Sequence, residues 1–258
     1  MKFILYFSLI SLIFMNGCFQ SYFNTATQEQ ETYFYSTEKE IKIGASLSYQ
    51  VERTYKPDND LLIQQRVKDV GQKIAAVNER RDIQYHFKVL DDKKINAFAL
   101  PGGYVYIFRG LWDKIKESDG MIAAVLAHEV GHVAARHSIK RAQSSIGMNV
   151  LAVLVGVSSD IDSYSRSKAL AGIYELMLSY SREDELQADI LAVRYLQKTG
   201  YDPVAIIDVL KLLQETERER PVQSQHIHTH PYITDRMKVV KEQINRGSVG
   251  FNDYINAL

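Results

Sequence analysis

A single cysteine, Cys18, stands in 258 residues, so no disulfide can form within the chain. Net charge is missing as well, because 31 basic side chains balance 31 acidic ones. Such a surface exerts no strong pull on a polyanion, and nucleic-acid binding is set aside. Nor is there an apolar run of the roughly 20 residues that a membrane-spanning helix needs. The uncharged runs Phe3–Met15 and Met148–Val157 have thirteen and ten residues; the first suits the core of a signal peptide, and the second suits a core helix or a surface that touches lipid or a partner. Beyond residue 40 no Pro/Gly/Ser linker and no internal repeat divides the chain, which leaves residues 41–258 as one domain.

What the chain does contain is a motif. Ala127–Ser138 reads AHEVGHVAARHS, with His128 and His132 four positions apart and Glu129 directly after the first. The segment from Gly120 to Arg141 favours a helix, and Ser118 and Asp119 are candidate N-caps. On a helix, positions four apart lie one turn above each other, so both imidazoles can reach one ion while Glu129 leans toward its open side. The bland alternative is a helix whose histidines only hydrogen-bond locally.

A catalytic zinc takes three protein ligands and leaves the fourth place open. The pattern HExxHxxGxxH would need a glycine and a histidine where this chain has Ala135 and Ser138; His137 misses by one position. The other pattern takes a glutamate from a later helix. Tyr180–Leu196, YSREDELQADILAVRYL, offers Glu185 with Asp189 four residues on, on one helical face. Glu185 would bind the ion and Asp189 would hold a ligand histidine by its other ring nitrogen. Glu183 competes, but it points to roughly the opposite side and has no carboxylate four residues ahead.

Pro101, Gly102 and Gly103 signal a turn, and the β-branched and aromatic run Tyr104–Phe108 after it reads as a strand. Through Tyr104, Val105 and Tyr106 an edge strand could pair with an extended substrate backbone; an interior strand used for packing fits the same residues equally well. Leu61–Val77 and Tyr201–Glu217 have helical spacing, Ile83–Leu90 alternates like a strand, and Gln20–Lys39 has no clear period and reads as a tether. The sum is a mainly helical α+β fold with a small β-sheet beside the motif helix.

Three blocks in order, NAFALPGGYVYIFRGL, HEVGHVAARH and EDELQAD, resemble the zinc endopeptidases related to the CAAX prenyl protease and the heat-shock membrane protease, over about Gly44–Met237. The likeness is nearest to their bacterial periplasmic lipoprotein branch. It implies a zincin-like metallopeptidase domain with one Zn2+ on His128, His132 and Glu185, Asp189 behind a ligand histidine, and Tyr104–Tyr106 as the substrate strand. Glu129 would take a proton from water and later pass it to the leaving amine. Clustered histidines such as those of Gln225–Met237 are often only polar loop residues. The resemblance is more pointed: it implies that His230 closes the open zinc position in a resting state and that Arg236 supports the site or the transition-state oxyanion. His230→Ala is then expected to raise basal proteolysis.

The N-terminus carries Lys2, then Phe3–Met15, then Met15-Asn16-Gly17-Cys18, which resembles a bacterial lipobox. Residues 1–17 are therefore expected to be a signal peptide and Cys18 a lipid anchor, with residues 18–40 as anchor and tether. Phe19 does not supply the aspartate linked to inner-membrane retention, which favours the outer membrane, facing the periplasm. The resemblance implies misfolded or unassembled envelope proteins as substrates and outer-membrane assembly machinery as a candidate partner. Prenyl-protein processing would need several membrane spans. A zinc-containing, chaperone-like assembly lipoprotein that cleaves little is the rival reading; Glu129 argues against it, because a structural zinc needs no base.

Overall fold

The computed structural model describes residues 20–33, 35–145, 179–219 and 230–246. The expected signal segment, Cys18 and the apolar run Met148–Val157 lie outside the described residues.

The chain begins with a hairpin of β1 (Gln20–Asn24) and β2 (Glu29–Tyr33), antiparallel in register. Helix α1 (Thr37–Thr54) starts at Ser36, whose hydroxyl accepts from the Lys39 N–H, and α2 (Leu61–Ala75) starts at Asp60, which accepts from Leu62 and Ile63. Strands β3 (His86–Leu90), β4 (Ala97–Leu100) and β5 (Tyr104–Phe108) follow, then a short helix α3 (Arg109–Ile115). Helix α4 (Asp119–Ala134) is capped by Ser118 as expected. It is followed by α5 (His137–Ser145), α6 (Arg182–Thr199), α7 (Val204–Glu219) and α8 (Ile233–Arg246). Helix α6 opens with a reciprocal Ser181–Asp184 capping box and closes on Gly200 at φ 78°, the left-handed residue a helix end favours.

Helix α4 is the axis of the molecule. Every residue from Ile122 to Ala134 is buried, so the helix packs on every side. Its neighbours are α2, α6, α7 and the sheet. At Gly131 a Cβ would come within 2.9 Å of the Ala188 carbonyl oxygen and 3.2 Å of its Cα, so only glycine lets α6 approach this closely.

Three expectations change here. The three-stranded sheet has the order β3-β5-β4, with β5 parallel to β3 and antiparallel to β4. Tyr104, Val105 and Tyr106 thus sit on the central strand, paired on both sides, and the edge-strand reading fails. Alternation along β5 serves packing instead: Val105 and Ile107 join the core around α4, while Tyr106 and Phe108 join a second core under α1. The polar stretch read as a tether folds into the β1–β2 hairpin, tied down by Asn24 Nδ2 to the Ala134 carbonyl at 3.4 Å and by a Lys140–Glu31 ion pair at 2.6 Å. Last, the helix expected from Gly120 to Arg141 breaks after Ala134, and Arg136 adopts φ 57° before α5 begins. Among the described residues no helix is long and apolar enough to cross a membrane.

Candidate metal centre

Four side chains from three parts of the chain converge beneath α4. His128 and His132 bring their Nε2 atoms to 3.0 Å of one another. From the first turns of α6, Glu185 Oε1 lies 3.3 Å from His132 Nε2 and Oε2 lies 3.4 Å from His128 Nε2. His230, just ahead of α8, brings Nδ1 to 2.9 Å from Glu185 Oε1 and 3.3 Å from His128 Nε2. All four residues are buried, and the donor atoms lie within 4.8 Å of each other. Ligands about 2.0–2.1 Å from a tetrahedral ion stand roughly 3.3 Å apart. The five separations just given, 2.9–3.4 Å, lie near that spacing, and three imidazoles with one carboxylate suit a borderline divalent ion.

Behind the cluster lies a buried charge network. His128 Nδ1 stands 2.8 Å from Asp189 Oδ1. Arg236 grips the same carboxylate with two donors, Nε to Oδ2 at 2.7 Å and Nη2 to Oδ1 at 2.8 Å, and its Nη1 lies 2.8 Å from Glu185 Oε2. Burial alone would raise the pKa of both acids, yet Arg236 and the histidines outweigh it and keep both below the usual carboxylate range. Burial and Arg236 pull His128 down, but Asp189 and Glu185 prevail and raise it to about 9. His132 is driven well below its ordinary value by burial.

Glu129 differs from both acids. It is 1% exposed, its Oε1 lies 3.6 Å from His230 Nε2, and Oε2 makes no hydrogen bond among the described residues. Burial raises its pKa. A carboxylate left so lightly engaged next to a cluster of metal-type donors is placed to exchange a proton.

Residues 62–244 match the profile of peptidase family M48. The chain belongs to peptidase family M48. It is 30% identical over 183 residues to the mitochondrial metalloendopeptidase OMA1 of Schizosaccharomyces pombe, covering 71% of this chain and 53% of that protein. It is 25% identical over 216 residues to the beta-barrel assembly-enhancing protease of Escherichia coli K12, covering 81% of this chain and 44% of that protein. The metalloprotease LoiP of the same bacterium is 26% identical over 166 residues, covering 64% of each. The chain spans about half the length of the first two relatives.

In this M48 chain His128, His132, Glu185, Asp189, Glu129, His230 and Arg236 meet in one buried site, and Arg236 turns its donors on Asp189 and Glu185. Glu183 is exposed on α6. Tyr106 takes no part, since its hydroxyl bonds Ser48 at 2.7 Å and Glu52 at 2.9 Å.

Sequence reasoning missed the other wall of the site. His132 Nδ1 is 2.8 Å from His137 Nδ1, whose Nε2 is 2.8 Å from Gln187 Oε1. The Tyr180 ring stacks on His132 with centroids 3.7 Å apart, and its hydroxyl meets Ser138 at 3.1 Å. Spacing gave no signal for Gln187, which stands two positions from Glu185 and so on roughly the opposite side of the helix, and His137 was weighed only as a metal ligand.

Proposed function

We propose that this chain is a zinc endopeptidase, lipid-anchored through Cys18 to the bacterial outer membrane and facing the periplasm, that hydrolyses peptide bonds in misfolded or unassembled envelope proteins. The observation that carries the reading is Glu129: a buried carboxylate with a raised pKa and one oxygen that accepts no hydrogen bond among the described residues, beside four metal-type donors. His128, His132 and Glu185 would hold the zinc, which would supply Lewis acidity toward a carbonyl and toward water. Glu129 takes the proton of the attacking water and returns it to the departing amine. Asp189 fixes the ring of His128, and Arg236 keeps Asp189 and Glu185 ionised in a buried setting. His230 would supply a fourth donor and would have to withdraw before substrate enters, which would make it a gate. The names of the relatives in Escherichia coli support envelope proteolysis, and the lipobox-like Met15–Cys18 supports the anchor.

The four-donor shell also favours a second reading. Structural zinc sites are closed by four protein ligands, and with His230 in place this chain offers four, as a chaperone-like assembly lipoprotein would. Zinc content and cleavage of unfolded casein, measured for wild type, Glu129→Gln and His230→Ala, separate the two. Stoichiometric zinc in all three, cleavage by wild type, none by Glu129→Gln and more by His230→Ala would support the gated peptidase. Zinc without cleavage by wild type or by His230→Ala would favour the structural role.

A further inference from the structure

His132 and His137 lie five positions apart. On a continuous α-helix that spacing turns a side chain about 140° away from its partner, and the two rings could not meet. They meet at 2.8 Å because the helix stops at Ala134 and Arg136 takes φ 57°. For a residue other than glycine this left-handed conformation is strained, and it persists where the surroundings enforce it. Here the enforcement is visible. Arg136 Nη2 pairs with Glu40 Oε2 at 2.8 Å and donates to the Tyr35 carbonyl at 3.1 Å. Its guanidinium lies 3.9 Å from the centre of the Tyr33 ring, on β2. On either side of the turn, Asn24 of β1 ties Ala134 and Glu31 of β2 ties Lys140. The hairpin thus clamps the break.

The direction of the protons is set by the same contacts. His132 turns Nε2 toward the donor cluster, so its proton belongs on Nδ1, and His137 Nδ1 must accept it. The proton of His137 therefore sits on Nε2, 2.8 Å from the acceptor oxygen of Gln187. Asp184 Oδ1 is more distant at 3.6 Å, and its carboxylate caps α6 by accepting from the Ser181 N–H at 2.9 Å. The chain of bonds is neutral from end to end.

We propose that His137 and Gln187 are positioning residues that set the ring and tautomer of His132 for metal binding, and that the hairpin-clamped turn at Arg136 delivers His137 to that place. The inference rests on the zinc reading above. Partners that orient a ligand histidine are typically worth about 10–100-fold in metal affinity. The test strips the metal from the full chain, reloads it with Zn2+ against a competing chelator, and records the visible spectrum of the Co2+ form. His137→Ala should weaken zinc binding about 10–100-fold and alter the Co2+ spectrum. His137→Asn, whose Oδ1 falls where Nδ1 was, should recover most of the loss. Gln187→Ala, which leaves both rings in place, should give a smaller loss in the same direction, and it carries the test if His137→Ala does not fold. A role in packing alone would lower the melting temperature of the metal-free variants while zinc affinity stayed within about twofold of wild type and the spectrum did not move; that result overturns the proposal. A wild-type chain that takes up no stoichiometric zinc would instead overturn the reading beneath it.

Discussion

His128 and His132 occupy equivalent places on one helix, one turn apart, yet the fold surrounds them in opposite ways. Behind His128 stands a carboxylate, Asp189, itself gripped by Arg236. Behind His132 stand a neutral imidazole, an amide and the face of a tyrosine. The first ring is pushed toward its charged form, to about 9, and the second is kept neutral. Two residues that look interchangeable in the motif therefore reach a metal from different starting states. The charged arm brings donor strength and must first lose a proton; the neutral arm is ready and depends on placement.

The largest effect belongs to neither arm. Glu129→Gln should lower turnover by about a hundred- to ten-thousandfold while both histidines still bind metal, as parallel metal analysis and peptidase assays would show. Lost metal would mean that the base and the ligands are not separable. The two arms should then part in stability. Arg236→Met leaves Asp189 and Glu185 buried without their counter-charge, and breaking a buried pair costs about 3–5 kcal/mol. Gln187→Ala on the neutral arm removes one hydrogen bond and should cost about 1 kcal/mol. Denaturant unfolding of the metal-free chains measures both, and equal losses would erase the distinction between the arms.

Much of the charged arm was legible in the sequence because local periodicity encodes it. The four-residue spacings within HEVGH and ELQAD each put two groups on one helical face, and the candidate cap Ser118 marked where α4 begins. The helix expected over Leu61–Val77 ends at Ala75, and the strand expected over Ile83–Leu90 begins at His86. The neutral arm was hidden because tertiary contacts make it. Arginine favours helix, and nothing near Arg136 announces a left-handed turn; the ties to Glu40, Tyr35 and Tyr33 that impose it come from residues about a hundred positions away. The hairpin that supplies some of those ties is polar and non-periodic, so it read as a tether. Strand order has the same origin, for the pattern of Tyr104–Phe108 fits a central strand as well as an edge.

Gly131→Ala would disturb both arms together. A methyl group there would meet backbone of Ala188, the residue just before Asp189, at 2.9 Å, so α4 and α6 must separate and draw Glu185 and Asp189 away from the histidines. Overpacking of this kind costs about 1–3 kcal/mol. Thermal unfolding should show it, together with weaker metal binding. Unchanged metal affinity would mean that α6 can yield without moving its carboxylates.

The pH dependence of metal uptake is the most direct reading of the asymmetry. Metal binds imidazole only in its neutral form. Because the folded pKa of His128 is raised to about 9, its charged form stabilises the metal-free chain at pH values below the ordinary histidine range, and that stability fades as pH rises through about 9. Metal uptake must therefore expel one proton from His128 at neutral pH, while His132, already neutral, expels none. Apparent affinity should rise about tenfold per pH unit and level off near pH 9. Asp189→Asn removes the charge that favours protonation, so the slope contributed by His128 should flatten in that variant. Calorimetric titrations in buffers of different ionisation enthalpy count the protons released. A slope that survives Asp189→Asn would place the released proton elsewhere in the cluster and undo the contrast between the two histidines.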